Sequence, residues 1–149
     1  MRRIFTLAFA VAVVGCARGE EMPADTPAAA MATPLTMAEL AGTWSMQALA
    51  ELSDSVLTTY TLTATADGSG WTMTFPGRDP VPAMVAVDGD SLIVDAGPYE
   101  SVLRAGVQVT VHSVNRLENG MMMGLFEAHY TTTGADSVLR GRLHGTRMP

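Results

Sequence analysis

The chain has 149 residues, 48% of them hydrophobic and 16% charged, with a formal net charge of −6 and a single cysteine. This length suits one domain with a modest core. The acidic balance excludes a basic surface for nucleic acid. One cysteine leaves no thiol pair for a disulfide or a zinc knuckle, so a core alone must hold the fold.

Arg2 and Arg3 precede an apolar run over residues 4–14, and Gly15 precedes Cys16. Two charges, a short apolar stretch and a small residue before the cut have the layout of a secretory signal. The stretch is too short to span a bilayer. Val13-Val14-Gly15-Cys16 resembles the bacterial lipobox, in which the cysteine is acylated and becomes the new N-terminus. The resemblance implies a signal peptide over residues 1–15, lipidation at Cys16 and a partner in the membrane itself. Several acyl chains, palmitate among them, are needed because one alone gives only reversible binding. Residues 16–35 are rich in alanine, proline and acidic side chains, the composition of a disordered tether. Ala17, where aspartate retains some lipoproteins at the inner membrane, leans the expected location to the outer membrane, facing the periplasm.

A domain is expected over residues 36–149. Thr36 and Glu39 have the spacing of a capping box and Gly42 is placed to stop the turn, which predicts a very short helix over residues 37–41. Strands follow from Trp44 onward. The first is expected over residues 44–51 and the second over 56–65, where Val56, Thr58, Tyr60, Leu62 and Ala64 share one face. A third, over residues 71–75, puts Trp71, Met73 and Phe75 on one side before prolines break it. The fourth and fifth, over 83–87 and 91–95, are joined at Asp88-Gly89-Asp90, and Gly97-Pro98 opens a longer loop to Gly106. The last three are expected over residues 107–117, 121–131 and 137–146. Asn119-Gly120 reads as a two-residue hairpin turn, and a similarly tight turn is expected at Gly134-Ala135.

Eight short strands, each apolar on one side, hide their edges most easily in an all-β, eight-stranded antiparallel up-and-down barrel. A two-sheet sandwich is the other solution. Leu40, Gly42 and Trp44 form an L-x-G-x-W opening similar to that of lipocalin-like (calycin-type) barrels. The resemblance implies that a helical turn precedes the first strand, that Trp44 plugs one barrel end, and that Arg147, or failing that Arg142, stacks on it.

The inward face decides whether such a barrel holds a ligand. Tyr60, Trp71, Met73, Phe126 and Tyr130 are the candidate ligand-binding residues, the two tyrosines serving as polar handles. Ala48, Ala50, Ala64, Gly124, Ala128 and Gly141 favour space inside, and the aromatic residues favour filling. The loops at residues 75–82 and 97–106 are the candidate mouth.

Chemistry beyond binding has little support. No G-x-S-x-G elbow, H-E-x-x-H pair or phosphate loop is present, so no catalytic residue, cofactor or metal is expected. His112, His129 and His144 fall on the last three strands. The expected turns place His112, Glu127 and Arg142 in a cross-strand polar ladder on the outer wall, which needs no metal. Met121, Met122 and Met123 offer thioethers that suit Cu(I), but Met122 must point away from its neighbours and the expected pairing brings no histidine beside them. Two functions remain: a lipid-anchored envelope protein holding a small apolar or amphipathic ligand in its barrel, or a non-catalytic envelope accessory or inhibitor whose loops contact another protein.

Overall fold

The computed structural model describes residues 34–149. The expected leader, Cys16 and the tether through residue 33 lie outside the described residues. Leu35, assigned by composition to the tether, donates its amide to the Gly89 carbonyl at 2.9 Å and packs on the core.

Helix α1 (Met37–Leu40) is a single turn. Its start is closed reciprocally: the Glu39 amide donates to Thr36 Oγ1 at 3.3 Å, and the Thr36 amide donates to Glu39 Oε2 at 2.9 Å. A helix this short is not stable by propagation. It is held by burial of Leu40, whose carbonyl accepts from Trp44 Nε1 at 2.8 Å.

Eight strands follow: β1 (Gly42–Ala50), β2 (Val56–Ala64), β3 (Thr72–Thr74), β4 (Val81–Asp88), β5 (Ser91–Glu100), β6 (Gln108–Glu118), β7 (Met121–Tyr130) and β8 (Val138–Arg147). Each pairs antiparallel with the next, and β1 also pairs with β8 from Trp44 opposite Arg147 to Ala50 opposite Gly141. The sheet therefore closes into an eight-stranded up-and-down barrel with no free edge. The alternation that drives it is regular. In β5, Leu92, Val94 and Ala96 are buried while the residues between them are half-buried, and β4 repeats the period from Val81 to Val87.

Three departures from the expected pattern have local causes. A β-bulge between Ala48 and Leu49 pairs Leu49 with Val56, so Leu49 turns to a buried position and Val56, expected inside, is 50% exposed. Strand β5 runs on past its predicted end because a second irregularity, between Ala96 and Tyr99, absorbs Gly97 and Pro98 and resumes pairing at Tyr99 opposite Val109. Only glycine fits there, with φ +112 and a would-be Cβ 2.7 Å from the Val109 carbonyl oxygen. The predicted loop from Gly97 thus shrinks to residues 101–107.

The third departure is at β7–β8. No two-residue turn forms at Gly134-Ala135. The Thr131 amide stays on β6 through the Gln108 carbonyl at 3.0 Å, and a 3-10 turn, Ala135–Ser137, leads into β8. The pairing consequently shifts by two residues: Glu127 faces Arg140 rather than Arg142, and His129 faces Val138 rather than Arg140. The Asn119-Gly120 turn forms as expected, with Glu118 opposite Met121 and His112 opposite Glu127.

The core fills the barrel from the α1 end. Trp44 is fully buried, with the Arg147 guanidinium carbon 4.4 Å from its ring centroid. Arg147 also donates to the carbonyls of Ala41 and Glu39, joining the end of β8 to α1. Trp71 is buried at the same end, its Nε1 donating to the Thr65 carbonyl at 3.0 Å.

Candidate functional site

At the opposite end, the barrel interior contains a cavity of about 50 Å³. It is reached by strand positions whose inward faces lie near the β1–β2, β3–β4, β5–β6 and β7–β8 connections. All three tyrosines of the chain, Tyr60, Tyr99 and Tyr130, line it, with Phe75 and Phe126. The aromatic wall is continuous: the Phe75 ring centroid is 5.5 Å from that of Tyr60 and 5.5 Å from that of Tyr99. Tilted pairs at this distance are favourable beyond the area they bury.

The phenols give the cavity its chemistry. Interior side-chain hydrogen bonds run from Trp44 to Leu40, from Trp71 to Thr65 and from Asn115 to Ser113; among the described residues none engages a tyrosine hydroxyl. Burial, with a smaller contribution from neighbouring Tyr99, pushes the Tyr60 hydroxyl far above its usual range. Burial and nearby Tyr130 push the Tyr99 hydroxyl up to about 12, partly offset by the Arg78 charge. At neutral pH both are un-ionised O–H donors, and neither stands among the fully buried polar atoms without a partner, which among the described residues are Asn115 Oδ1 and Arg142 Nε. Ser113 lines the cavity as well. It accepts from Asn115 Nδ2 at 3.0 Å, while Asn115 Oδ1 is buried without a partner among the described residues.

Residues 101–107 cover the mouth. Ser101 Oγ accepts from the amides of Leu103 and Arg104 at 3.0 and 3.1 Å, which folds the segment so that Val102 and Leu103 line the cavity. Two arginines pin it. Arg78, from the β3–β4 loop, donates to the carbonyls of Glu100 at 2.6 Å and Ser101 at 3.4 Å. Arg104 lies 3.9 Å from the Tyr130 ring centroid and donates to the Asp136 carbonyl.

Of the five sequence-derived ligand residues, Tyr60, Met73, Phe126 and Tyr130 are brought together on this cavity. Trp71 is not, because β3 begins beyond it and its indole is bonded at the closed end. Tyr99, Phe75 and the Ser101–Arg104 turn were not among those five, although both segments fall in the loops expected to form a mouth. Glycines expected to open space do not. A Cβ on Gly141 would stand 2.5 Å from Phe126 Cε1, and one on Gly124 2.3 Å from Asn115 Oδ1. Each missing side chain is replaced by a neighbour, which is why the cavity is small.

On the outer wall the polar ladder runs through different residues from those expected. Asp95 Oδ1 lies 2.7 Å from His112 Nδ1, and Glu127 Oε1 lies 2.6 Å from Arg140 Nε. Arg142 instead reaches the Ser53 carbonyl and Asp54 Oδ1 at 2.8 and 2.9 Å. Among the described residues no three His, Cys, Asp or Glu side chains are grouped to hold a metal ion. The register shift has a second effect: it sets His144 opposite Met123, so a histidine does stand beside the methionine run. Compared with protein-family models, curated proteins and solved structures, the chain matches none.

Proposed function

We propose that this protein is a lipocalin-like binding protein that takes up a small amphipathic molecule at the tyrosine-lined end of its barrel. The observation that carries the reading is the convergence of all three tyrosines, with no protein partner for their hydroxyls among the described residues, on one apolar cavity. An apolar body would replace space between Phe75, Phe126 and Met73, and a single polar group would accept from the phenols. An engineered cavity that takes benzene is about 150 Å³ and drug-sized pockets are about 300–1,000 Å³, so at 50 Å³ the ligand is short, or Val102 and Leu103 swing aside to admit it. A small cavity also favours the second reading, a packed barrel that contacts an envelope protein through its loops.

The test separates them. Straight-chain alcohols from butanol to decanol are titrated into the protein while the Met73 methyl resonance is followed. Saturable one-to-one shifts, weakened about tenfold by Tyr60→Phe, support the cavity reading, and no saturable shift across the series discards it. A Tyr60→Trp change should fill the cavity and abolish the response with the fold intact.

We further propose that Cys16 anchors the protein to the bacterial envelope, at the outer membrane facing the periplasm. Support comes from the lipobox-like Val13-Val14-Gly15-Cys16 and from Ala17. Labelled palmitate should enter the protein and be lost in Cys16→Ser; an unlabelled parent chain would remove the proposal.

A further inference from the structure

We infer that the outer wall at the β7–β8–β1 junction carries a binding site for a soft monovalent ion, Cu(I), formed by the thioethers of Met121 and Met123 and the imidazole of His144. Met121 and Met123 are two apart in β7 and share the outer face, while Met122 between them is buried in the core. The pairing of β7 with β8 sets His144 directly opposite Met123 and Thr146 opposite Met121. Met121, Met123, His144 and Thr146, with Gln47 of β1, line one surface depression.

The general spacing of side chains on one face of a sheet suits a shared ion. Directly opposed side chains on one face of a sheet start about 4.5–5.5 Å apart and diagonal neighbours about 7–8 Å. Methionine, with three rotatable bonds, covers that gap without moving the backbone. Two thioethers and an imidazole are a donor set that selects Cu(I), whereas carboxylate and water oxygens suit harder ions. The nearby charges do not oppose it. Arg116, opposite Met123 on β6, is drawn toward Asp90 at 3.5 Å and Ser91 Oγ at 3.4 Å, and Glu118 stands opposite Met121. With the pairing expected from a tight Gly134-Ala135 turn, His144 would have faced Leu125 and no such set would exist.

The test uses the full chain carrying Cys16→Ser, so that the thiol does not compete, held without oxygen in mild detergent. Cu(I) is supplied as its bicinchoninate complex, and methionine methyl groups are followed by NMR. The expected result is one equivalent of Cu(I) withdrawn from the chelator, with the Met121 and Met123 methyls and the His144 ring shifting together. Met148, 44% exposed, and Met84, 74% exposed, serve as controls and should not move at that stoichiometry. Met123→Leu and His144→Ala should each weaken binding at least tenfold, with the buried Met46 and Met122 methyls unchanged to certify the fold. Failure to withdraw Cu(I), equal shifts at Met84 and Met148, or variants that bind like the parent would each overturn the site. The wild-type methyl map alone decides the question should a variant fail to fold.

Discussion

Replacing Gly141 with alanine tests whether the barrel's small residues are occupied by their neighbours. The added Cβ would lie 2.3 Å from the Leu49 carbonyl oxygen and 2.5 and 2.7 Å from two Phe126 ring carbons. The carbonyl belongs to β1 beside the Ala50–Gly141 pair, so moving it loosens the β1–β8 closure; moving the ring drives it into the cavity. Overpacking of this kind costs about 1–3 kcal/mol, and two simultaneous contacts place Gly141→Ala at the upper end. For a domain of about 115 residues that lowers Tm by roughly 10 °C. Urea unfolding followed by tryptophan fluorescence should show a lower midpoint at unchanged slope. Phe126→Leu in the same chain should recover part of the loss, since the ring clash is relieved and the carbonyl clash is not. A Gly141→Ala midpoint within error of the parent would mean that Phe126 does not occupy the glycine's space, and the explanation of the small cavity would fail.

Other expectations follow from the same geometry. Arg147→Ala removes both the stack on Trp44 and the donors to Glu39 and Ala41, which should cost about 1–2 kcal/mol and release α1 in hydrogen exchange; Arg147→Lys should recover only part, having one point charge in place of a planar fork. The raised Tyr99 hydroxyl makes the folded state hold its proton longer than the unfolded chain, so stability is complete below about pH 10 and declines as pH rises toward about 12; tyrosinate absorbance should show late ionisation that becomes ordinary on unfolding. The Glu127 carboxyl is held below its usual range first by hydrogen bonding to Arg140, so any contribution is present above the ordinary carboxylate range and lost as pH falls through the lowered value. Because the pair is exposed, Glu127→Gln should shift the urea midpoint little, and 0.5 M salt should remove the difference.

Strand type was legible because the barrel's inside and outside differ in polarity, and a period of two in Val56–Ala64 has no helical reading. The capping box at Thr36 and the Asn119-Gly120 turn were equally local, each depending on residues three or fewer apart. What escaped were features set by distant neighbours. The β7–β8 register depends on Thr131 being held by β6 and on a 3-10 turn, neither of which Gly134-Ala135 reveals. The continuation of β5 depends on Gly97 passing close to Val109. Part of the cavity wall follows from the second of these: Tyr99 enters where pairing resumes opposite Val109, and the shortened β5–β6 connection brings Val102 and Leu103 onto the cavity. Trp71 was placed with the ligand residues because it shares a face with Met73 and Phe75; it precedes the three-residue β3 and its indole is held by the Thr65 carbonyl at the closed end, while Met73 and Phe75 reach the cavity.

The most direct test of the binding proposal is the Met73 methyl resonance under titration with the alcohol series, read beside the Tyr60→Phe variant. A saturable, one-to-one shift for at least one chain length, about tenfold weaker without the Tyr60 hydroxyl, is the predicted result. A Met73 signal that does not saturate with any member, or that responds identically in Tyr60→Phe, would contradict it.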